Sequence, residues 1–517
     1  MRIKPRREHV DVVVVGTGSA GGILIKRLAE AGFKVVALEA GKRWAPSDFG
    51  RDPVQMRKLD WPARSSAGAD PVGINGVKGV GGASLTYNAC SMRARASDFR
   101  SRSLTGIADD WPITYEELEP YYDRVEREIG VAGYHQVEGD EPRGPYVMPP
   151  HRLSANGVAL FHAGRKLGLK TYPTPMAINS RSYDGRPACM QLGCCNQGCL
   201  ISAKGSTLVT VIAKAEKLGA EIRPECFARR IVLDERGRAR GVVYFDGKGV
   251  ERMIEAERIA LCANAVETPR LLLNSANKSF PQGLANSSGL VGKRFMFHIV
   301  GAAFGKVDHT VEGFKGMPVD AMIKDFYDPD SKRGRMRGFI IIAAMMHPLI
   351  FAHLTGSTGA ELKARMQDFD KLLAWWYVGE DLPSDENTIT LDPDLKDANS
   401  IPIARVTHTW TASDKLVAQQ AEAKIKELLD AAGAHNVWSF PASGAGAYHL
   451  MGTCRMGDDP KTSVVDSLGR AHDVPRLYIA DGSVFVTSTP SEPTLTMQAL
   501  ALRTADHLVA EAKGKAH

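Results

Sequence analysis

The chain has 517 residues, of which 44% are hydrophobic and 24% are charged, a composition typical of a globular protein. Its length exceeds what one ordinary hydrophobic core holds, so two closely joined domains are expected. The 65 basic and 59 acidic residues are spread along the chain, and this balance, with the lack of a base-reading motif, argues against nucleic-acid binding.

The first predicted unit, in chain order, is a strand, a helix and a strand over 10–15, 19–31 and 33–38. The basic segment before it, MRIKPRRE, lacks the apolar stretch and the cleavage site of a secretion signal. We therefore expect a cytoplasmic protein, with periplasmic export on a partner's signal as the alternative.

The segment GTGSAG joins this first strand to the helix and carries Gly16, Gly18 and Gly21. The first glycine allows a tight turn, the second lets the backbone reach a pyrophosphate, and the third lets the helix pack on the strand. The helix N-terminus adds free N–H groups for an anion, and Glu39, after the second strand, can accept hydrogen bonds from a ribose. The pattern predicts a dinucleotide site. The alternative is a glycine turn in an unrelated α/β protein.

Further elements follow along the chain, and their order indicates that a nucleotide-binding domain is assembled from separate segments. They are a glycine-rich loop over 73–85, a helix within 110–128 with Thr114 as N-cap and Glu117 as its capping-box partner, a helix over 204–218, paired strands over 222–233 and 240–245, a strand over 259–262 leading into a helix over 267–274, strands over 388–391 and 403–408, a helix over 413–432 capped by Ser413, and a strand over 477–480 before a helix from 494 onward.

The longest apolar run, over 339–354, is short for a membrane span and is interrupted by His347 and Pro348. We interpret it as a buried strand pair, with a patch that docks on a partner as the alternative. No membrane span is expected.

Four segments resemble the glucose–methanol–choline (GMC) family of flavoprotein oxidoreductases. They are GVGGASLTYNACSMR (79–93), ANAVETPRLLLNS (263–275), YHLMGTCRMG (448–457) and YIADGSVFVTSTPSEPTLTMQALALRTADHL (478–508). Within that family the chain is similar to bacterial flavin subunits of sugar and polyol dehydrogenases, on the segments DWPITYEELEPYY (110–122), NSRSYDGRPAC (179–189) and LANSSGLVGKRFMFH (284–298).

The resemblance implies an α/β (α+β) fold in which an FAD-binding Rossmann-type domain is interwoven with a substrate domain built on an antiparallel sheet. The expected bounds are 1–100, 200–299 and 440–517 for the first domain, and 101–199 and 300–439 for the second. Residues that it assigns to FAD are Gly16, Gly18, Ser19, Ala20, Gly21, Glu39, Ala40, Gly81, Gly82, Ser84, Asn88, Ala228, Asp481, Gly482, Pro493 and Thr494. Some members tether FAD to a histidine after the paired glycines. Here that stretch is Leu-Thr-Tyr, so noncovalent FAD is expected.

Two residues are candidates for catalysis. The resemblance places His449 at the family's catalytic histidine, and an imidazole can take and release a proton near neutral pH. Family members usually carry Asn or His before the last proline, where this chain has Glu492. Its carboxylate can accept the substrate hydroxyl's hydrogen bond, raise the pKa of His449, or act as a second base. The alternative is that it points away, with Ser491 or a water in its place.

A cysteine-rich loop contains Cys189, Cys194, Cys195 and Cys199. Thiolates ligate iron–sulfur clusters, and some related subunits carry a cluster that passes electrons from flavin to an outside acceptor. A cluster on Cys189, Cys195 and Cys199 is therefore one interpretation. A reduced or disulfide-bonded loop that packs near the active site is the other.

The resemblance implies a dehydrogenase that oxidises an alcohol group of a sugar or glycoside to a carbonyl, with hydride transfer to flavin N5 and His449 as the base. It further implies an external electron acceptor other than oxygen, and it is compatible with a small partner subunit. The alternatives are a redox-neutral FAD-containing lyase or isomerase, an oxidase of an aromatic or aliphatic alcohol, and a non-catalytic flavoprotein subunit.

Overall fold

The computed structural model describes residues 8–61, 64–67, 72–74, 76–330, 337–443 and 447–514. The start of the basic N-terminal segment, and Asn75 of the predicted glycine-rich loop, lie outside the described residues.

The strands of the described chain are β1 (Glu8–Val15), β2 (Val35–Leu38), β3 (Arg64–Ala67), β4 (Thr171–Pro173), β5 (Glu221–Arg223), β6 (Phe227–Leu233), β7 (Ala239–Phe245), β8 (Glu251–Leu261), β9 (Ile299–Lys306), β10 (Val319–Ile323), β11 (Phe339–Ala344), β12 (Leu372–Gly379), β13 (Thr388–Lys396), β14 (Pro402–Thr407), β15 (His435–Phe440) and β16 (Leu477–Ile479). Its α-helices are α1 (Ser19–Glu30), α2 (Ser101–Thr105), α3 (Tyr115–Ile129), α4 (Ala155–Lys166), α5 (Ala213–Lys217), α6 (Asn264–Asn274), α7 (Pro348–Leu354), α8 (Gly359–Gln367), α9 (Ala412–Ala431) and α10 (Thr494–Ala512).

The first sheet has the order β5-β2-β1-β8-β7-β6. Strands β5, β2, β1 and β8 run parallel, whereas β7 and β6 continue the sheet antiparallel. Strand β16 pairs with residues 259–261 of β8, next to the stretch that pairs with β7, so two strands distant in the chain share one edge of β8. Since apolar residues of β1 and β2 pack with α1 and α10 in one core, this is the predicted Rossmann-type arrangement.

The second sheet is antiparallel, with the order β15-β9-β12-β11-β10-β4. One face of this sheet packs on α4 and α9, where Trp375 shares a hydrophobic core with Leu160, Val417 and Ile425. A third, smaller sheet has the order β13-β14-β3. The predicted fold class, a Rossmann-type domain interwoven with an antiparallel sheet, is confirmed. The residue bounds given above for the two domains stay a prediction.

Capping decides where two predicted helices begin. Helix α3 has Thr114 as N-cap with Glu117 in a capping box, as predicted. Helix α9 begins at Ala412 with Thr411 as N-cap, so the prediction of Ser413 was wrong. Thr411 Oγ1 accepts a hydrogen bond from Asp414 N at 3.2 Å, while the Asp414 carboxylate accepts one from Thr411 N at 2.6 Å. This reciprocal pair satisfies two free N–H groups and starts the helix earlier.

Two predicted segments are divided in the structure. Residues 222–233 form β5 and β6 instead of one strand, because β5 pairs with β2 and β6 pairs with β7. The predicted helix over 204–218 consists of a π-helical turn, Leu208–Ile212, followed by α5.

The apolar run over 339–354 is a strand followed by a helix, so the predicted strand pair was wrong. Residues 339–344 form β11, which is fully buried. Pro348 then occupies the first turn of α7, where its fixed φ suits a helix, and the His347 side chain accepts a hydrogen bond from Leu349 N at 3.2 Å. Among the described helices, none has the length and apolar character needed to cross a membrane.

Candidate active site

A glycine turn connects β1 to α1 at the edge of the first sheet. Gly16 has φ of +97°, and a Cβ there would lie 2.3 Å from the Cys262 carbonyl oxygen. A Cβ on Gly21 would lie 2.1 Å from the Gly16 carbonyl oxygen. At Gly18, by contrast, the nearest atom to an added Cβ is Gly82 Cα at 3.8 Å. Packing therefore requires glycine at the first and third positions, while Gly18 faces open space.

The paired glycines form a second turn beside the first. Gly81 and Gly82 have φ of +108° and +52°, and a Cβ on Gly82 would lie 2.7 Å from Gly18 Cα. Ser84 Oγ donates a hydrogen bond to the Gly81 carbonyl at 2.6 Å and accepts one from Thr207 N at 3.0 Å. Ser84 therefore holds this turn in place.

Glu39 follows β2 directly and is buried. Its carboxylate accepts hydrogen bonds from Thr17 Oγ1 at 2.8 Å, from Thr17 N at 3.2 Å and from Gly41 N at 2.8 Å. Burial raises the pKa of Glu39, against these hydrogen bonds. The carboxylate thus stands beside the glycine turn, at the point where a ribose is expected.

One cavity of about 600 Å³ brings the candidate residues together. Those that line it are Gly16, Gly18, Ser19, Ala20, Glu39, Ala40, Gly82, Asn88, Ala228, His449, Asp481, Gly482, Glu492, Pro493 and Thr494. Gly21, Gly81 and Ser84 are not among its lining residues and support the turns behind it. Asp481 lines the cavity but is hydrogen-bonded within the chain, to Asn264 N at 2.9 Å and Thr268 Oγ1 at 2.6 Å.

These residues fit a dinucleotide such as FAD. Helix α1 has no side-chain hydrogen bond at its N-cap, Gly18, so N–H groups of its first turn can face an anion. The glycine turns admit a pyrophosphate, Glu39 supplies a ribose acceptor, and Ala228 contributes the strand expected beside the adenine.

Two histidines meet where His449 lines the cavity. His449 Nδ1 lies 2.9 Å from His298 Nδ1, with ring planes at 80°. His298 Nε2 donates a hydrogen bond to the Thr489 carbonyl. His449 has φ of +63°, a conformation uncommon outside glycine that the surrounding structure must hold.

These two contacts determine which ring nitrogens of His298 and His449 carry protons. A carbonyl cannot donate, so His298 carries its proton on Nε2. Burial lowers the pKa of His298 to about 4, which leaves its Nδ1 as an acceptor at neutral pH. His449 must then donate from Nδ1. Since burial and the nearby His298 hold the pKa of His449 well below its usual value, His449 is neutral as well, and its Nε2 keeps a free lone pair.

Glu492 lies just before α10 and is buried in the wall of the same cavity. Burial raises its pKa to about 7, opposed by hydrogen bonding to the Cys90 thiol and by the charge of Lys324. Its Oε2 has no hydrogen-bond partner among the described residues. Burial and the nearby His298 lower the pKa of His449, and the effect of Glu492 on that pKa stays a prediction.

The four cysteines of the loop do not line the cavity, although Asn196 and Gln197 between them do. Lys204 Nζ is buried and donates hydrogen bonds to the carbonyl oxygens of Leu85 at 2.9 Å, Tyr87 at 3.1 Å, and Cys195. This lysine joins the loop to the stretch after the paired glycines, which supports the interpretation of a loop packed near the active site.

The thiols of this loop do not fit an iron–sulfur cluster. Burial raises the pKa of Cys189 and Cys194, and that of Cys195 to about 12, so these thiols are protonated at neutral pH when no metal is bound. Over the described ranges of the chain, no three His, Cys, Asp or Glu side chains are placed to hold a metal ion.

Sequence reasoning missed His298. It ends the segment 284–298, but no spacing pattern links it to His449. His298 could have been identified from its position directly before a buried strand, because that position places its side chain at the edge of the second sheet.

A sheet with a parallel Rossmann-type half, two glycine turns at a cavity and a histidine pair at its wall are typical of a nucleotide-dependent oxidoreductase. Two protein-family models, both described as GMC oxidoreductase, match residues 10–300 and 383–501 of the chain. The chain belongs to the GMC oxidoreductase family, whose fold binds FAD, and the predicted resemblance is confirmed.

Similar proteins cover nearly the whole chain. A 2-methyl-1,2-propanediol dehydrogenase from Mycolicibacterium austroafricanum is 32% identical, covering 97% of this chain and 95% of that protein. The fructose dehydrogenase large subunit from Gluconobacter japonicus is 30% identical, covering 97% and 98%. The crystal structure of pyridoxine 4-oxidase from Mesorbium loti shares the fold with a TM-score of 0.66 at 20% identity, covering 96% and 98%.

Proposed function

We propose that this chain oxidises an alcohol carbon to a carbonyl with FAD as the acceptor. The observation that carries the proposal is the histidine pair, which leaves the Nε2 lone pair of a neutral His449 in a cavity shared with the nucleotide-binding residues. His449 takes the hydroxyl proton at Nε2, and His298 accepts the hydrogen bond from its Nδ1 as the ring becomes charged. Bound FAD supplies, at N5, the acceptor for the hydride.

The relatives support the substrate and partner classes. One is named for a diol and one for a sugar, so we propose an alcohol group of a polyol, sugar or glycoside. The second relative is named as a large subunit, which supports a partner subunit and an external electron carrier. FAD is proposed to be noncovalent, because Leu85, Thr86 and Tyr87 follow the paired glycines.

Anaerobic mixing with a series of alcohols tests this function. We expect at least one diol or glycoside to bleach the flavin absorption in a single turnover, because the alcohol's electron pair must pass to the flavin. A redox-neutral lyase or isomerase would convert its substrate without bleaching. Flavin that stays oxidised with every alcohol, at saturating concentration, would contradict the proposal.

Glu492→Gln tests the carboxylate near the base. The pKa of Glu492 is about 7, so its anion is present above pH 7 and disappears as the pH falls. The anion stabilises a protonated His449, so the parent's flavin reduction rate should rise as the pH increases through about 7. In Glu492→Gln the rise of the reduction rate near pH 7 should disappear. Any rise that remains should occur at lower pH, because the pKa of His449 is well below its usual value.

Stopped-flow reduction rates between pH 5 and pH 9 measure this profile. Glu380→Gln is the matched control, because Glu380 is another buried carboxyl with a raised pKa that does not line the cavity. Identical profiles in the parent and Glu492→Gln would show that Glu492 takes no part in the reaction.

A further inference from the structure

One face of the antiparallel sheet borders the active-site cavity. Its lining residues are Val300, Ile342, Ala344, Trp376 and Val378. The register places Ile342 opposite Trp376 and Val300 opposite Val378. Since alternate residues of a strand share a face, these side chains form one continuous apolar surface. The neighbouring Trp375 points to the opposite face, into the core beneath α4 and α9.

The rest of this part of the cavity is also largely apolar. Met345, Met346 and Ile350 continue the wall after β11, and Tyr448 adds a ring next to the catalytic histidine in sequence. Tyr448 is 50% exposed and Ile350 38% exposed, so the opening of the cavity is apolar too. An apolar wall and an apolar opening favour a ligand that carries an apolar group.

The polar groups available to a ligand here are few. Trp376 Nε1, Gln197 Oε1 and Glu492 Oε2 belong to lining residues, are buried, and have no hydrogen-bond partner among the described residues. These buried atoms are one donor and two acceptors, and His449, Tyr448, Asn196 and His347 add polar groups that are closer to solvent. A free sugar placed on the sheet face would leave hydroxyls without partners, and each one weakens binding by roughly 10- to 100-fold.

We propose that the substrate is an alcohol that carries an aromatic group, and that this group packs on the sheet face at Trp376 while the carbinol carbon lies at His449. An aryl glycoside is the sugar-derived form of this class. The inference rests on the proposed alcohol oxidation, and it adds that the aromatic group determines which alcohols the enzyme binds. Flat rings suit this wall because the Trp376 ring can stack on them.

Matched pairs of alcohols test it in the parent enzyme. We expect phenyl β-D-glucopyranoside to exceed methyl β-D-glucopyranoside in the ratio of reduction rate to Kd by about 10- to 100-fold, the usual effect of burying a ring. The diols 3-phenylpropane-1,2-diol and propane-1,2-diol form a second pair. Anaerobic stopped-flow gives rate and Kd separately, and titration calorimetry on His449→Ala gives the Kd without turnover.

Variants of Trp376 test the assigned wall. Trp376→Ala should reduce the preference for the phenyl compound by about tenfold, while Trp376→Phe, which keeps a ring, should retain most of it. Trp438→Phe is the matched control. Trp438 also packs on Phe304, and its buried Nε1 likewise has no partner within the described ranges, but Trp438 does not line the cavity.

The outcomes separate this inference from the proposed function. Equal Kd and rate for phenyl and methyl members of both pairs, with the flavin bleached by both, overturns the aromatic class and leaves alcohol oxidation intact. If calorimetry shows tighter binding of the phenyl compound than of the methyl compound, but neither bleaches the flavin of the parent enzyme, the apolar wall is supported and alcohol oxidation is overturned. If Trp376→Ala does not fold, the parent pairs and Trp376→Phe still decide the question.

Discussion

Replacing His449 with alanine is expected to slow flavin reduction by alcohols by a factor on the order of 10² to 10⁴, the range for loss of a general base. In the proposed reaction, Nε2 of the neutral ring takes the hydroxyl proton, and alanine offers no acceptor in its place. The FAD content should stay at the parent level, because the glycine turns and Glu39, which are expected to hold the dinucleotide, make no hydrogen bond to His449 in the part of the chain that the structure describes. Anaerobic stopped-flow absorption measures the rate, and the spectrum of the purified variant measures bound flavin.

His298→Gln is the matched control for this prediction. A glutamine oxygen can accept from His449 Nδ1 and its amide can donate to the Thr489 carbonyl, so both contacts of the imidazole can be kept. Its loss of rate should therefore be far smaller than that of His449→Ala. Reduction of His449→Ala at the parent rate would exclude His449 as the base.

Gly18→Ala is expected to weaken FAD binding by about 10- to 100-fold while the protein stays folded. The backbone at Gly18 has φ of −65°, and an added Cβ lies no closer than 3.8 Å to another atom of the chain. The chain therefore accepts alanine, and the methyl group meets the pyrophosphate instead, a form of overpacking that costs about 1–3 kcal/mol. Fluorescence titration of the apoprotein with FAD measures the Kd, and circular dichroism measures the fold.

Gly50→Ala is the control, because its added Cβ is also 3.8 Å from the nearest atom and Gly50 does not line the cavity. It should bind FAD like the parent. Gly21→Ala should instead damage folding, because its Cβ would lie 2.1 Å from the Gly16 carbonyl oxygen. Normal FAD affinity in Gly18→Ala would show that the pyrophosphate does not approach this residue.

The sequence predicted those parts of the site that depend on neighbours in the chain. The turn from β1 into α1, with Glu39 after β2, is encoded in one short segment, because glycine spacing and strand periodicity act locally. The capping box of α3 could be read for the same reason. Local signals also compete, which is why Thr411 displaced the predicted cap of α9.

Contacts between distant segments could not be read from one sequence. His298 and His449 meet because β9 and the loop before β16 converge at one cavity, and no local pattern records that meeting. The lowered pKa of His449 depends on its burial in the folded chain and on the nearby His298, so its direction could not be derived from residue types. The apolar wall likewise depends on the register of β9, β11 and β12.

Strand β16 has a consequence for biosynthesis. It occupies one edge of β8, yet roughly 200 residues separate the two strands in the chain. At usual translation rates of about 5–20 residues per second, β8 leaves the ribosome on the order of 10 to 40 s before its partner. During that time residues 259–261 of β8 lack this strand partner, and unpaired strand edges can pair with other chains. Completion of the first sheet therefore waits for the C-terminal segment of the chain.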